Sequence, residues 1–202
     1  KNKKVHFVHV DHAIRKNSSK EALQLKNILK KYKIDLKIIK NNKNIQKNIQ
    51  KNARDIRYQI LCDFCKKNSI KSLVTAHHKD DQIETFLIRL SRGSGVEGLS
   101  SMSESTKLNN NIKLLRPFLK FRKEELQTIS NKFFKKIIKD PSNNNKKFLR
   151  TNIRELTKIL KNKGIEPEQI YRSIQNISST KKAINFYVKQ SLKKFVKFKK
   201  KE

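Results

Sequence analysis

The sequence is poor in several residue types that define large classes of protein. Its 202 residues include two cysteines, three prolines, four glycines and no tryptophan. Two cysteines cannot form the cross-linked framework of small secreted domains, so a reduced, cytoplasmic setting is expected. No run approaches the roughly 18 consecutive apolar residues that a membrane-spanning helix needs. The composition therefore excludes a disulfide-rich scaffold and an integral membrane protein.

Acidic residues are also scarce relative to basic ones. There are 17 Asp and Glu against 50 Lys and Arg, which gives a formal net charge of +33 at pH 7. Such an excess is typical of nucleic-acid-binding proteins, since a polyanion offsets the self-repulsion of the charge. A compositional bias toward lysine, asparagine and isoleucine would also produce it. Charge alone leaves both explanations open.

Apolar residues alternate between the period of a strand and that of a helix along the first part of the chain. Three β-rich runs, separated by helical patterns, cover residues 5–10, 34–39 and 72–76. The third run is expected to be a fully buried strand. This alternation predicts an α/β fold with a Rossmann-like parallel sheet and flanking helices. We predict that this domain covers residues 1–145 and that a small, basic helical region covers residues 146–202.

Two polar clusters directly follow strands of the predicted sheet. Asp11 and His12 follow the first strand, and the run from His77 to Asp81 follows the third. Ligands of such sheets bind beyond the carboxyl ends of the strands, so both clusters point to a site at that edge. His77 and Asp81 stand four residues apart at a helix start and share a face, which suits proton transfer near neutral pH.

The acidic residues of the second cluster admit more than one role. Asp80 and Asp81 could hold Mg²⁺, which prefers oxygen ligands, or could simply favour the positive end of the helix dipole. Glu84 lies one turn further on nearly the same face. It suits the binding of an ammonium group, and it equally suits a solvated helix surface.

Three further patterns have both a functional and a purely structural interpretation. The segment Arg92–Gly95 offers backbone N–H groups to an anion, or ends a helix. Arg54 and Arg57 reach a phosphate, or lie along a helix surface. Cys62 and Cys65 fall within a helical pattern, where core packing is favoured because a metal site needs three or four protein ligands.

The order of these motifs resembles the tRNA(Ile)-lysidine synthetase family. The resemblance rests on the run Thr75–Thr85, which continues to Arg92–Gly95 and Gly98-Leu99. The supporting segments, in chain order, are His9–His12 with Arg15, Ala53–Tyr58, Arg116–Leu119, Asp140–Asn143 and Phe148–Arg154. The similarity covers about residues 4–160, although the His-His-x-Asp-Asp element is shared with related ATP pyrophosphatases.

The resemblance implies an adenine nucleotide alpha hydrolase-like fold and a ligase that uses ATP with Mg²⁺. Members of the family adenylate the C2 oxygen of the wobble cytidine in an isoleucine tRNA with a CAU anticodon. The side-chain amine of L-lysine then attacks C2 and expels AMP, which gives lysidine. The expected partners are therefore this tRNA and L-lysine, in the cytoplasm and without a membrane, and a homodimer is left open.

The resemblance also implies a role for individual residues of this chain. The catalytic residues would be His77 and Asp81. L-lysine would be bound by Asp81, Glu84 and Arg57. ATP would be bound by His12, Arg54, Gly93, Ser94 and Gly95. The tRNA or a phosphate group would be bound by Arg150, Asn152 and Arg154, of which the two arginines could also bind charged groups of lysine or nucleotide. The candidate Mg²⁺ ligand is Asp80.

One element of the family pattern is not found. The ATP loop, Ser-Gly-Gly-x-Asp-Ser, has no counterpart in residues 1–202, whose four glycines all lie elsewhere. Its strand is expected before Val5 and at the centre of the sheet, between the first and third strands. We therefore expect that a unit of roughly 30 residues is missing. The fragment is then expected to be inactive, because it would not hold ATP productively alone.

Three other functions are considered. A tRNA cytidine-thiolating ATP pyrophosphatase shares the His-His-x-Asp-Asp element but needs cysteines for an iron–sulfur cluster. A non-catalytic tRNA-binding remnant would carry the same basic charge. A metal-dependent phosphoesterase would draw its ligands from the two polar clusters: Asp11, His12, His77, His78, Asp80 and Asp81.

Overall fold

The computed structural model describes residues 5–15, 17–42, 48–108, 111–134 and 148–196. In chain order these residues form β1 (Phe7–Asp11), α1 (Ser18–Lys30), β2 (Leu36–Lys40), α2 (Ile49–Lys67), β3 (Ser72–Val74), α3 (Lys79–Leu90), α4 (Val96–Leu99), β4 (Ser105–Lys107), β5 (Lys113–Leu115), α5 (Lys123–Phe134), α6 (Leu149–Asn162) and α7 (Pro167–Phe195). The predicted α/β alternation is confirmed. The motif Asp140–Asn143 lies outside the described residues.

The chain divides into two compact units. Unit 1 comprises Lys1–Thr75, Ser105–Leu115 and Gln127–Lys139, and unit 2 comprises Ala76–Glu104, Arg116–Leu126 and Asp140–Glu202. The predicted boundary at residue 145, between the α/β domain and the basic helical region, stays a prediction. No helix in the described ranges is long and apolar enough to cross a membrane.

The strands of unit 1 pair mainly in parallel, as predicted. β1 pairs with β2 from Phe7 opposite Leu36 to Asp11 opposite Lys40. β5 lies between β3, with which it is parallel, and β4, with which it is antiparallel. Within the described ranges the five strands therefore form two sheets. Helix α2 packs against both β1 and β3, and it buries Cys65 beside Leu61 and Phe64, so the predicted packing role of that cysteine is confirmed.

The prediction that the third strand is fully buried is wrong. β3 is only three residues long, and the side chain of Val74 is 58 % exposed. An apolar run shows that a strand is favourable, but it does not show which elements cover its two faces. Among the described elements β3 has a single neighbouring strand, β5, so the run became a short edge strand.

The turn after β1 is built around a buried carboxylate. Asp11 is 3 % exposed, and its two oxygens accept hydrogen bonds from Ala13 N–H (2.9 Å) and Ser19 Oγ (2.6 Å). Although burial raises the pKa of Asp11, these hydrogen bonds bring it below its ordinary value. Ala13 adopts φ +53°, a left-handed conformation that a Cβ atom disfavours. The turn thus places His12 at the end of the strand at the expense of local strain.

In unit 2 the polar first turn of α3 is held by an apolar core behind it. Ile83 and Phe86, one turn apart on α3, pack against Ile170 and Ile174 of α7. Helix α3 also contacts α4 and α6. These contacts on several sides fix the position and rotation of α3. They therefore fix where its first residues place their side chains.

We predict that Ala13→Gly raises the free energy of unfolding by about 1 kcal/mol, because glycine adopts a positive φ without steric cost. The matched control is Ala53→Gly inside α2, which should lower it by about 1 kcal/mol through the poor helix propensity of glycine. Urea unfolding of both variants measures the two changes. A loss of stability in both would show that the turn is not strained.

Candidate active site at the start of helix α3

His78 and Asp81 together cap helix α3. The Asp81 carboxylate accepts a hydrogen bond from the His78 backbone N–H (3.0 Å), and the His78 ring accepts one from the Asp81 N–H (3.4 Å). This reciprocal capping box satisfies N–H groups that the helix itself leaves without partners. Asp81 therefore has a structural role in addition to its predicted catalytic one. From the sequence His78 is predicted only as a ligand of the phosphoesterase alternative, and its capping role is missed, although its spacing of three from Asp81 matches that of a capping box.

Asp80 links the start of α3 to the start of α5. Its carboxylate accepts a hydrogen bond from the backbone N–H of Lys123 (2.8 Å) and lies 3.5 Å from the His78 ring. The contact with His78, and then the Lys123 N–H, lower the pKa of Asp80 to about 2 against the opposing effect of burial. Asp80 is therefore an ionised carboxylate near neutral pH.

This arrangement fits magnesium only in a limited way. In the part of the chain that the structure describes, no three His, Cys, Asp or Glu side chains are grouped to hold a metal ion. Asp80 alone would supply one carboxylate, with one oxygen already bonded to α5. Mg²⁺ in nucleotide sites commonly takes one or two carboxylates and completes its shell with water and phosphate oxygens. The ligand set needed by the phosphoesterase hypothesis is not assembled in these residues.

The structure brings the predicted lysine-binding acids together with the predicted phosphate-binding arginines. Glu84 is 4 % exposed and accepts hydrogen bonds from Arg154 Nε (2.5 Å) and Arg150 Nη1 (3.4 Å). Arg150 Nη1 also lies 3.7 Å from Asp81 Oδ1. A buried carboxylate needs cationic partners to offset its desolvation, and α6 supplies them. Asn152, predicted with these arginines, is exposed on a different face of α6.

The glycines after α3 have structural explanations. Gly93 has φ +68°, and the N–H groups of Gly93 and Ser94 donate to the carbonyls of Leu90 (3.0 Å) and Arg89 (3.1 Å). This is the Schellman pattern that ends a helix. Gly95 begins α4 as its N-cap. Two of the three N–H groups predicted to bind nucleotide are thus used in the helix cap.

Gln82 is a second residue that the sequence pattern did not reveal. It is 6 % exposed, and its amide exchanges two hydrogen bonds with the backbone of Met102, at 2.7 Å and 2.8 Å. Arg89 holds the same segment through the carbonyls of Gly98 (2.6 Å) and Ser101 (3.2 Å). No local signal could show this, because the partners lie 9 to 20 residues further along the chain.

In unit 1 the structure brings His12 close to Arg57, one of the two predicted arginines of α2. Burial, and then the nearby Arg57 guanidinium, lower the pKa of His12, so its ring is neutral near pH 7. The guanidinium carbons of Arg54 and Arg57 lie 5.1 Å and 5.8 Å from the centre of the Tyr58 ring. His12 Nδ1 and the Tyr58 hydroxyl are buried without a hydrogen-bond partner among the described residues. These two atoms are therefore polar groups that the described residues leave unsatisfied.

The remaining predicted catalytic residue, His77, directly precedes the N-cap of α3 and is half-buried. It belongs to unit 2 together with Asp80, Asp81, Glu84, Arg150 and Arg154. His12, Arg54 and Arg57 belong to unit 1. Each unit thus assembles one group of the predicted residues.

We predict that Arg154→Met lowers the free energy of unfolding by about 2 kcal/mol, because it removes the closest cation from a buried carboxylate. Arg172→Met, an exposed arginine of α7, is the matched control and should change it by less than about 0.5 kcal/mol. Urea unfolding at pH 7 compares the two variants. Equal stabilities would show that the Glu84 contact contributes nothing to folding.

The low pKa of Asp80 predicts a pH-dependent contribution to stability. Its folded pKa lies below the unfolded value, so the contribution is complete above about pH 4 and is lost as the pH falls toward 2. Asp80→Asn should therefore be less stable than the parent at pH 6, and the difference should shrink between pH 4 and pH 2. Asp63→Asn, at an exposed position of α2, is the control. A difference that is constant with pH would contradict the assignment.

Comparison with known proteins finds one matching family model and several similar proteins of the same name. A family model for the PP-loop domain matches residues 1–161. The tRNA(Ile)-lysidine synthase of Wolbachia pipientis wMel is 41 % identical over 182 residues, which cover 89 % of this chain and 42 % of that protein. The enzyme of the same name from Orientia tsutsugamushi (strain Boryong) is 39 % identical over 150 residues, 74 % of this chain and 34 % of that protein. The chain therefore spans less than half the length of these relatives.

A solved structure supports the fold. The U34-tRNA thiolase NcsA from Methanococcus maripaludis, with its 4Fe-4S cluster, superposes with a TM-score of 0.66 at 18 % identity, covering 85 % of this chain and 61 % of that one. This likeness confirms the predicted α/β fold with a Rossmann-like parallel sheet and flanking helices. The relatives confirm the resemblance to tRNA(Ile)-lysidine synthetases. By its match over residues 1–161, the chain belongs to the PP-loop domain family.

Proposed function

We propose that the protein catalyses the ATP-dependent ligation of L-lysine to C2 of the wobble cytidine in an isoleucine tRNA with a CAU anticodon. The reaction runs through an adenylated tRNA and gives lysidine. The observation that carries the proposal is the acidic and cationic cluster at the start of α3, in a chain similar to proteins named tRNA(Ile)-lysidine synthases. The protein acts in the cytoplasm on this tRNA, and a homodimer is compatible with the proposal.

The cluster suits a zwitterionic amino acid. Asp81 and Glu84 provide carboxylates for ammonium groups, and Arg150 provides a guanidinium for a carboxylate. Arg150 is held more loosely than Arg154, at 3.4 Å and 3.7 Å from its two acidic partners. It is therefore the guanidinium that exchanges partners at the lower cost when lysine enters. Asp81 Oδ1, which has only this long contact among the described residues, then accepts the side-chain ammonium.

The attacking amine must lose a proton before it becomes a nucleophile. An imidazole is a common general base in enzymes, and His77 directly precedes the cap of α3. Asp81 orients the ammonium, and His77 takes the proton as the nitrogen attacks C2. This division assigns positioning to the carboxylate and base catalysis to the imidazole.

The residues of unit 1 fit a nucleotide. His12 Nδ1 and the Tyr58 hydroxyl are buried polar atoms that a base or ribose would satisfy, and Arg54 and Arg57 carry charges suited to phosphate. The family resemblance also assigns Gly93, Ser94 and Gly95 of unit 2 to ATP binding. ATP supplies the adenylyl group that makes the C2 oxygen of cytidine a good leaving group. Mg²⁺ would be held by Asp80, water and phosphate oxygens.

Thiolation of tRNA is not supported. Burial raises the pKa of the Cys62 and Cys65 thiols, which disfavours the thiolate needed for metal binding or sulfur transfer. The chain contains two cysteines, both on α2. A cysteine-ligated iron–sulfur cluster needs more thiolates than these.

A non-catalytic tRNA-binding protein is the second candidate. Two observations favour it: Glu84 already pairs with two guanidiniums, and the N–H groups of Gly93 and Ser94 are already bonded. Such a protein would bind the tRNA without transferring lysine. The assay that follows separates the two functions.

We predict that the full natural protein transfers labelled L-lysine to an isoleucine tRNA with a CAU anticodon in the presence of ATP and Mg²⁺. Asp81→Asn should lower kcat by about 100-fold or more, because the amine loses its orienting carboxylate. Asp63→Asn, the exposed control, should retain full activity. Urea unfolding of Asp81→Asn must accompany the assay, since this change also removes a helix cap.

The outcomes of this assay distinguish a lysine-transferring enzyme from a non-catalytic tRNA-binding protein. Binding of tRNA without transfer by the natural protein would favour the non-catalytic candidate. An anticodon changed from CAU to GAU, which removes the target cytidine, should abolish transfer. Transfer by the natural protein but not by residues 1–202 alone would agree with the expectation that ATP is held by a loop outside these residues.

A further inference from the structure

The second half of α7 does not contribute to the core. The buried residues of this helix, Pro167, Ile170 and Ile174, all lie in its first eight positions. From Lys182 to Phe195 every residue is exposed. Lys181, which pairs with Glu97 at 2.5 Å, is the last residue of α7 with an ion pair in the described part of the chain. A helix that continues for nearly four turns beyond its core contacts has a surface available for a partner.

This half of α7 has two opposite faces. At 100° per residue, Ile184, Val188, Leu192 and Phe195 lie along one side. Lys182, Phe186, Lys189 and Lys193 lie along the opposite side, and we call this set the lysine row. Because the two faces are opposed, any protein segment that covers the apolar side leaves the lysine row open.

The lysine row carries charge that the protein does not neutralise. Residues 178–196 contain five lysines and no acidic residue. In the described ranges the lysines at 182, 189 and 193 make no ion pair. Their spacing along the helix axis is about 10 Å and about 6 Å, which presents a line of positive charge. Such a line is complementary to a strand of phosphates.

The arginines of α6 contrast with this row. Arg150 and Arg154 face Glu84 and Asp81, so their charge is offset inside unit 2. The basic side chains of the C-terminal region therefore fall into two groups. One group neutralises buried acids, and the other remains available to an outside polyanion.

We propose that the lysine row of α7 is a contact surface for the phosphate backbone of RNA. The proposal rests on the proposed function, which makes a tRNA the substrate, and it adds which side chains hold the RNA backbone. Phe186, 55 % exposed in the middle of the row, offers a ring on which an unpaired base can stack. Because phosphates carry no sequence information, this surface contributes affinity and register rather than selection of the anticodon.

Two other partners fit less well. A second copy of the chain would bring two rows of like charge together, which opposes association. On an anionic membrane the apolar side of the helix would insert into the bilayer surface. The lysine row would then lie about 10 Å from the headgroups, on the solvent side of the helix. Phe186 would also point to water. RNA is the partner that uses both the charge and the ring of this face.

The test compares two triple variants that each remove three positive charges. One is Lys182→Gln with Lys189→Gln and Lys193→Gln, and the control is Lys20→Gln with Lys30→Gln and Lys31→Gln, all exposed. Affinity for the CAU isoleucine tRNA is measured between 50 and 300 mM salt without ATP or lysine. The α7 variant should bind about 10-fold or more weakly near 150 mM salt. Its slope of log affinity against log salt should fall by about 2 to 3, whereas the control should keep the parent slope.

Several results would overturn the proposal. Equal effects of the two triple variants would show that only net charge matters. An unchanged affinity for tRNA, with binding to phosphatidylglycerol vesicles lost instead, would assign the row to a membrane. The parent and both variants should have equal urea midpoints, since the lysines are exposed. If the α7 variant does not fold, Lys189→Gln alone replaces it. The slope of log affinity against log salt should then change by about 1.

Failure of the proposed function would look different. If the natural protein transfers no lysine but the α7 variant still loses affinity for tRNA, the result supports RNA binding by the lysine row and contradicts the ligase proposal. If lysine is transferred and the α7 variant binds tRNA as the parent does, the result supports the ligase proposal and contradicts RNA binding by the lysine row. A tRNA with an altered anticodon should respond to the α7 variant in the same way as the CAU tRNA.

Discussion

The pairing of Glu84 with Arg154 and Arg150 is the interaction on which the rest of unit 2 depends. An ionised carboxylate inside a protein is costly unless cations lie beside it, and the two guanidiniums come from a helix some 70 residues away in the chain. The contact therefore determines how α6 lies on α3. Because α3 also packs on α7 through Ile83 and Phe86, the first turn of α3 has little freedom to rotate. Such rigidity is what the proposed amine-binding site would require.

Several residues of the family motif serve the fold as well as the site. Asp81 caps its own helix, Asp80 caps the start of α5, and Gly93 ends α3 in a left-handed conformation. Helix ends are where backbone N–H groups and carbonyls lack internal partners, so they are also where polar side chains gather. Substitution of these residues is therefore expected to change the stability of the fold as well as any activity of the proposed site. A loss of activity at Asp81 is informative about catalysis only beside a measurement of folding.

The strong positive charge of the chain is used in two physically different ways. Inside unit 2, guanidiniums compensate carboxylates whose burial would otherwise oppose folding. Along the second half of α7, lysines face solvent with no acid among residues 178–196 to offset them. The first use lowers the energy of the folded chain, and the second leaves a charge for a partner to neutralise. Net charge alone does not distinguish the two uses, because it counts both kinds of residue equally.

Local patterns in the sequence by themselves determined most of the elements. The α/β alternation that these patterns predict is present in the structure, and Cys65 packs in the core as its helical phase indicated. These features depend on residues three or four apart, whose relation is visible in the sequence. Only the tertiary structure decided that Val74 is exposed, that Gln82 forms hydrogen bonds with Met102 and that Glu84 forms an ion pair with Arg154. Such outcomes depend on which distant segments cover a face or supply a partner, and the periodicity of a sequence contains no information about that choice.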